Sequence, residues 1–336
     1  MPFDRDKIKQ AASELAAKGV FIGTSSWKYE GWLGQLHTPE RYAEAPRKSS
    51  KPSDQDWFPG LQVESPPPMP PKFDKDAFKR DCLCEYAEVF KTVSVDAGYY
   101  KFPAVEYLQG LASHVPDDFR FGFKVTDSIT FKKYPYGERH GAKAGQANAD
   151  FLNADLFATA FLKPCAEIRP KIGLLMFEFS TFRPGDYQHV GEFIAHLDAF
   201  LDKLPQGWPY GIELRNKDWL TSEYFGCLAQ HGVTHVFNNW EAMPTVGEQM
   251  ALPDSRTNPR RVAARFLLKP GRKYEHAVNL FEPYERVKEP NADARAAGKA
   301  LIAEGRNAGP DRKSFYYMNN RLEGNALETI TAMLEP

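Results

Sequence analysis

Acidic and basic residues alternate with apolar ones in several short segments of this 336-residue chain. In the run Ile212-Glu213-Leu214-Arg215, the charged residues share one parity and the apolar residues share the other. Because successive side chains of a strand face opposite sides, one side of such a strand is charged and the other is apolar. Six charged residues occur in segments with this alternation: Asp96, Lys124, Glu178, Glu213, Arg215 and Arg265. We therefore expect these six side chains to share one interior.

A carboxylate beside an arginine is a combination that acid–base catalysis uses. Glu213 is the predicted catalytic base, and Lys124 is a second predicted catalytic residue, acting as a base or as a Schiff-base amine if burial lowers its pKa. Arg215 and Arg265 are expected to bind an anionic group of the substrate. The alternative is an ion-pair plug in which the charged residues satisfy one another and fill the interior. The sequence leaves both interpretations open.

Further substrate contacts are predicted from residues at or just beyond the ends of apolar segments, namely Asp96, Glu178, Trp27, Trp219, Asn238 and Asn320. Indole rings can stack on a sugar or a base, and amides can orient hydroxyl groups. Ordinary packing of the indoles and capping of helices by the asparagines are the alternatives. No metal site is predicted, since no H-x-H or H-E-x-x-H pattern occurs. No cofactor can be named.

The elements that position these residues are eight short segments rich in Val, Ile, Phe and Tyr. We expect strands at 20–25, 92–97, 120–126, 172–179, 211–215, 234–238, 261–268 and 314–320. Helical patterns separate most of them, which predicts an α/β chain folded as a single (β/α)₈ TIM barrel, with its charged residues at the carboxyl ends of the strands. A doubly wound open sheet is the main alternative, but no Gly-rich phosphate turn follows the first strand.

The predicted organisation is one TIM-barrel domain over residues 1–336, beginning with a helix at 3–18. A long proline-rich insertion at 41–72 follows the first strand and contains the run ESPPPMPPK. Proline at this density does not fit a helix or a central strand, so we expect an irregular surface segment near the mouth of the barrel. A protein-interaction module built on this segment is one further functional hypothesis.

Charge and composition restrict the partners. The chain has 43 basic and 44 acidic residues and a net charge of -1, so no global positive field attracts nucleic acid. No stretch has the length and apolarity of a membrane span. The four cysteines do not form paired C-x-x-C motifs, which favours the reducing cytoplasm over a disulfide-built secreted fold. A small molecule is thus the expected partner, and the oligomeric state is left open.

The segments also resemble a known family. Its motifs are similar to Gly23-Thr24-Ser25-Ser26-Trp27, Val93-Ser94-Val95-Asp96, Phe121-Gly122-Phe123-Lys124, Ile212-Glu213-Leu214-Arg215 and Phe315-Tyr316-Tyr317-Met318-Asn319-Asn320. This series resembles the YecE-like family, domain of unknown function 72. The chain departs from that pattern at Ser94, Asp96, Glu178, Ser180 and Asn216, where the family carries Glu, Asn, Gln, Pro and His. The resemblance implies a TIM barrel and no particular activity.

Two functional hypotheses follow. The first is a hydrolase, lyase or isomerase type of enzyme that acts on a polar, anionic or hydroxyl-rich small molecule by acid–base chemistry. The second is a non-catalytic barrel that binds a carbohydrate-like or nucleotide-like ligand. Catalysis needs a group that titrates near neutrality, whereas binding needs only fixed charges.

Overall fold

The computed structural model of the chain describes residues 3–43 and 72–335. Its eight parallel strands close into a barrel in sequential order. They are β1 Val20–Thr24, β2 Thr92–Val95, β3 Arg120–Lys124, β4 Ile172–Phe179, β5 Tyr210–Leu214, β6 Thr234–Asn239, β7 Arg261–Phe266 and β8 Lys313–Met318. The predicted α/β TIM barrel is confirmed, and every strand lies on its predicted segment.

Helices surround the barrel. They are α1 Arg5–Ala17, α2 Lys75–Val89, α3 Ala97–Tyr100, α4 Val105–Ser113, α5 Asp127–Thr130, α6 Ala154–Leu156, α7 Lys163–Cys165, α8 Val190–Asp202, α9 Ser222–Gln230, α10 Val246–Ala251, α11 Tyr274–Phe281, α12 Ala292–Ala308 and α13 Ala326–Leu334. A π-helical segment, Phe157–Leu162, joins α6 to α7. Of the described helices, none is long and apolar enough to cross a membrane.

The first helix and the proline-rich segment were both predicted from sequence. The helix expected at 3–18 is α1, which begins after Asp4, whose side chain accepts a hydrogen bond from the backbone of Lys7. Most of the insertion predicted at 41–72 falls on residues 44–71, which lie outside the described residues. The short helix Pro39–Tyr42 precedes it, and Ala43 forms an antiparallel β-bridge with Phe73 on its other side.

Apolar side chains fill the amino-terminal half of the barrel interior. This inner cluster consists of Phe21, Leu174, Met176, Val236, Ala263, Phe315 and Tyr317. Phe21 and Phe315 stack with their ring centroids 5.0 Å apart. The opposite faces of the same strands pack against the helices, where Ile212, Leu214 and Phe266 are buried. The inner cluster leaves most of the room for charged side chains in the carboxyl-terminal half of the interior.

Gly122 of β3 makes room for a tyrosine inside the barrel. A Cβ atom at this position would lie 2.3 Å from the hydroxyl oxygen of Tyr317, which is fully buried. We expect Gly122→Ala to lower the free energy of unfolding by about 1–3 kcal/mol, the usual cost of overpacking a core. Urea denaturation measures this change. Adding Tyr317→Phe should recover part of the loss, because it removes the nearest atom.

Gly110 provides the control for that substitution. It lies in α4, and a Cβ atom there would meet no heavy atom of another described element within 4 Å. Gly110→Ala should leave stability unchanged or raise it by up to about 1 kcal/mol, because alanine favours the helix. Equal effects of the two alanines would contradict the steric account of Gly122.

Candidate functional site

The six charged side chains predicted to share an interior do meet there, on the carboxyl-terminal side of the inner cluster. We call Asp96, Lys124, Glu178, Glu213, Arg215 and Arg265 the charged cluster. They come from the carboxyl ends of β2, β3, β4, β5 and β7 or from the residue just beyond. Glu178 is in register with Glu213 across β4 and β5. The barrel thus brings together residues that are up to 169 positions apart, Asp96 and Arg265.

Glu178 is the centre of the cluster. Its Oε2 atom lies 2.9 Å from Nζ of Lys124, 2.8 Å from Nη2 of Arg215 and 2.8 Å from Nη1 of Arg265. Burial by itself would raise the pKa of Glu178, but the charges of Arg215, Lys124 and Arg265 outweigh burial and hold this pKa well below its usual range. Glu178 is therefore a permanent negative charge.

Glu213 lies beside it and has no exposed surface. Its Oε1 atom accepts hydrogen bonds from Arg215, 2.9 Å from Nε and 2.8 Å from Nη2, and its Oε2 atom is 2.5 Å from Nη1 of Arg265. Burial would lower the pKa of Arg265, but the charges of Glu213 and Glu178 raise it further than burial lowers it. With both oxygens engaged, Glu213 holds two guanidinium groups in place.

Asp96 differs from both glutamates. Its side chain is 40% exposed, and its Oδ1 atom lies 3.8 Å from Nζ of Lys124 and 3.9 Å from Nη2 of Arg265. These separations are too long for hydrogen bonds, and Oδ1, which is itself buried, has no hydrogen-bond partner among the residues that the structure describes. Asp96 is thus the most exposed carboxylate of the charged cluster.

Two aromatic rings lie against the cations. Nζ of Lys124 is 3.9 Å from the ring centroid of Tyr99, and Cζ of Arg215 is 3.9 Å from that of Trp240. Both contacts are within the range of a cation–π interaction. Sequence reasoning missed Tyr99 as a site residue. The available signal was its position, three residues after Asp96 on the same face of the barrel.

Trp27 and Trp219 lie in apolar packing and not in the charged cluster, and their predicted role as substrate contacts remains a prediction. Trp27 is 5% exposed and packs in the layer between strands and helices. Trp219 stacks on Phe182 with ring centroids 5.1 Å apart and also packs on Phe193. The loops after β1 and β5 direct these rings onto apolar neighbours, so the packing alternative describes both.

The two predicted asparagines are fully buried and have different partners. Asn238 faces the interior; its Nδ2 donates to the Leu214 carbonyl at 3.2 Å, and its Oδ1 has no partner among the described residues. The Oδ1 of Asn320 accepts from the backbone N–H of Ala326, the first residue of α13, at 2.7 Å. Asn320 therefore satisfies a helix end, as the capping alternative expects, whereas Asn238 keeps a free acceptor at the cluster.

A cavity of about 330 Å³ opens next to the charged cluster, between the loops after β3 and β4. Its charged lining residues are Lys132, Lys133, Arg183 and Asp186. Ser180, two residues after Glu178 of the charged cluster, also lines it. The cavity is rich in positive charge and lies at the same end of the barrel as the cluster.

A closed parallel barrel with helices between its strands defines a TIM-barrel protein, and the charged cluster lies at the face where such proteins usually carry their sites. The chain belongs to the family described as "Protein of unknown function DUF72", whose model matches residues 70–336. The YecE-like resemblance stated from the motifs is thereby confirmed.

Individual relatives are distant. The chain is 28% identical over 135 residues to UPF0759 protein YecE of Escherichia coli K12, and the match spans 40% of this chain and 41% of YecE. A solved DUF72 family protein from Enterococcus faecalis V583 superposes with a TM-score of 0.56 at 18% identity, covering 94% of both chains. One from Thermotoga maritima MSB8 gives 0.54 at 17% identity, covering 94% of this chain and 96% of that one. These structures share the barrel fold.

Proposed function

We propose that the mouth of the barrel binds a small polar molecule with an anionic group and acts on it by acid–base chemistry, as a hydrolase, lyase or isomerase does. The observation that carries the proposal is the order of burial within the charged cluster. Glu213 is 0% and Glu178 3% exposed, whereas Lys124 and Arg215 are 7% and 8% exposed. Glu178 and Glu213 thus lie deeper in the barrel, and Lys124, Arg215 and Asp96 lie closer to its mouth.

Positive charge around the mouth favours an anionic ligand. The charged cluster itself is balanced, with three cations and three carboxylates, but its most exposed carboxylate, Asp96, stays beyond hydrogen-bond distance of both Lys124 and Arg265. Lys132, Lys133 and Arg183 add positive charge in the adjacent cavity. Preorganised cations in a site with little water bind carboxylate or phosphate groups well, because the protein has already oriented them.

The proposed roles differ from those predicted for the carboxylates from sequence. Glu213 as the catalytic base remains an untested prediction, and its two engaged oxygens argue for a positioning role instead. We assign proton transfer to Asp96, which has a free oxygen, with Lys124 beside it as the cation that stabilises developing negative charge. Arg215, held by Glu178 and Glu213, binds the anionic group, and the more deeply buried Arg265 adds positive charge behind it; direct binding by Arg265 remains an untested prediction.

The test is a thermal-shift screen of inorganic phosphate, sugar phosphates and hydroxy acids against the wild-type chain. A ligand at about 100 times its Kd should add about 2.7 kcal/mol to the free energy of unfolding. Arg183→Ala should weaken the response to such a ligand. Asp96→Asn should keep ligand binding and lose turnover, which is followed by product analysis.

Glu14→Gln is the control for this screen, because Glu14 is exposed on α1, the helix that leads into the amino end of β1. It should respond to the ligand as the wild type does. If no anionic compound stabilises the wild type, or if Arg183→Ala and the wild type respond equally, the anionic-ligand proposal is wrong.

A non-catalytic binding barrel is the second candidate. The observation that favours it is that Glu178 and Glu213 are engaged by Lys124, Arg215 and Arg265 at 2.5–2.9 Å, an arrangement that holds charges in place for binding. Stabilisation by a ligand without any product, in both the wild type and Asp96→Asn, would support this candidate. The interaction-module hypothesis rests on the proline-rich segment, whose residues 44–71 lie outside the described residues.

A further inference from the structure

A thiol, an imidazole and a carboxylate, three groups that can bind a metal ion, face one another on the outside of the barrel. Cys227 of α9 and His231, the residue that caps α9, are four positions apart and so share one face of that helix. Asp198 of α8 lies opposite them. Nε2 of His231 is 2.7 Å from Oδ1 of Asp198, and Sγ of Cys227 is 4.0 Å from the same oxygen. The three ligand atoms all lie within 4.8 Å of one another.

We propose that α8 and α9 form a binding site for a divalent transition-metal ion of the zinc class, with Asp198, Cys227 and His231 as its ligands. Thiolate, imidazole and carboxylate are the donors that Zn²⁺ takes in proteins, and three protein ligands leave a fourth position for water. Bonds of about 2.0–2.3 Å keep tetrahedral ligand atoms roughly 3.3–3.8 Å apart. Small side-chain rotations from the observed separations reach that geometry.

Solvent access is consistent with metal binding. The side chain of Asp198 is 48% exposed and that of His231 is 11% exposed, so an ion can enter from solvent, while Cys227 is buried behind them. Binding forms a metal–sulfur bond and releases the thiol proton to solvent.

This site is independent of the proposed function, because its ligands lie on the helix layer and contact no member of the charged cluster. A simple alternative is that His231 and Asp198 form a hydrogen bond that ties α9 to α8 and that Cys227 merely packs beside it. The two accounts differ in the role of the thiol: a metal site requires it, whereas a hydrogen-bonded pair does not.

Cobalt(II) titration of the reduced full-length chain distinguishes them. We expect one equivalent of cobalt to give the near-ultraviolet thiolate charge-transfer band and the visible bands of tetrahedral cobalt, and Zn²⁺ to displace it. Cys227→Ala should lose the thiolate band, and His231→Ala should weaken cobalt binding at least about tenfold. Cys84→Ala, which removes an exposed cysteine of α2, is the matched control and should bind as the wild type does.

Zinc should also raise the melting temperature of the wild type and of Cys84→Ala but not that of Cys227→Ala, since a ligand of the native state stabilises it by mass action. Comparison of the metal-free melting temperatures shows that each variant folds. The proposal is overturned if the wild type gives no thiolate band at a cobalt concentration about 500 times a Kd of about 1 μM. A band that survives Cys227→Ala overturns it as well.

Discussion

Glu213→Gln is expected to lower the free energy of unfolding by about 3–5 kcal/mol, the usual cost of removing one partner from a buried ion pair. The substitution preserves shape but removes a charge that lies 2.5 Å from Arg265 and 2.8 Å from Arg215. Both guanidinium groups would then remain in the barrel interior with Glu178 as the one buried carboxylate near them. Chemical denaturation of the wild type and the variant at pH 7 measures the difference.

Glu88→Gln is the matched control for that experiment. Glu88 also contacts two arginines, Arg5 at 2.5 Å and Arg41 at 2.8 Å, but its side chain is 37% exposed. Ion pairs near solvent contribute about 0–1 kcal/mol, so this variant should be close to the wild type in stability. If Glu213→Gln has an equally small effect, Glu213 is not holding the arginines, and its predicted role as a catalytic base regains support.

Acid should remove a second large stabilising contribution, that of Glu85. This buried residue of α2 accepts hydrogen bonds from the backbone N–H and hydroxyl of Thr38, at 3.0 and 2.5 Å, and from the hydroxyl of Tyr42 at 2.9 Å. Burial alone would raise the pKa of Glu85, but the hydrogen bonds from Thr38 and Tyr42, with Nδ1 of His37 3.5 Å away, outweigh burial and lower this pKa to about 2. The carboxylate thus anchors the segment after β1 to α2.

The direction of the pH effect follows from the lowered pKa. The folded state holds the proton of Glu85 less tightly than the unfolded state does. The contribution of this carboxylate to the free energy of unfolding is therefore complete above the ordinary pKa of 4.5 and is lost as the pH falls toward 2. At about 1.4 kcal/mol for each pKa unit, it amounts to about 3 kcal/mol. Glu85→Gln should be less stable than the wild type by about this amount at pH 7, and the gap should close near pH 2.

Denaturant titrations from pH 7 down to the acid transition measure that gap. Glu14→Gln, at an exposed position of α1, serves as the control and should track the wild type at every pH. Since other carboxylates titrate in both proteins, only the difference between the wild type and the variant reports on Glu85. A gap that stays constant from pH 7 to pH 2 would show that ionisation of Glu85 does not contribute.

The amino-acid sequence was sufficient to predict the fold and the convergence of the charged residues. Strand parity is a local property, because Ile212 and Leu214 must face the helices and this direction forces Glu213 and Arg215 inward. Closure of eight such strands then leaves one interior for all inward-facing charges. The same parity argument placed Lys124, Glu178 and Arg265 correctly, although they lie on three different strands.

The depth and partners of each side chain were decided only by the tertiary structure. The sequence does not distinguish Glu213, which is sealed between two arginines, from Asp96, which is 40% exposed, because exposure depends on the loops that cover the mouth. Loop paths also took Trp27 and Trp219 away from the charged cluster and brought Tyr99 to it. Asp198 meets Cys227 and His231 because neighbouring strands bring α8 and α9 side by side, a contact between helices that no local pattern encodes.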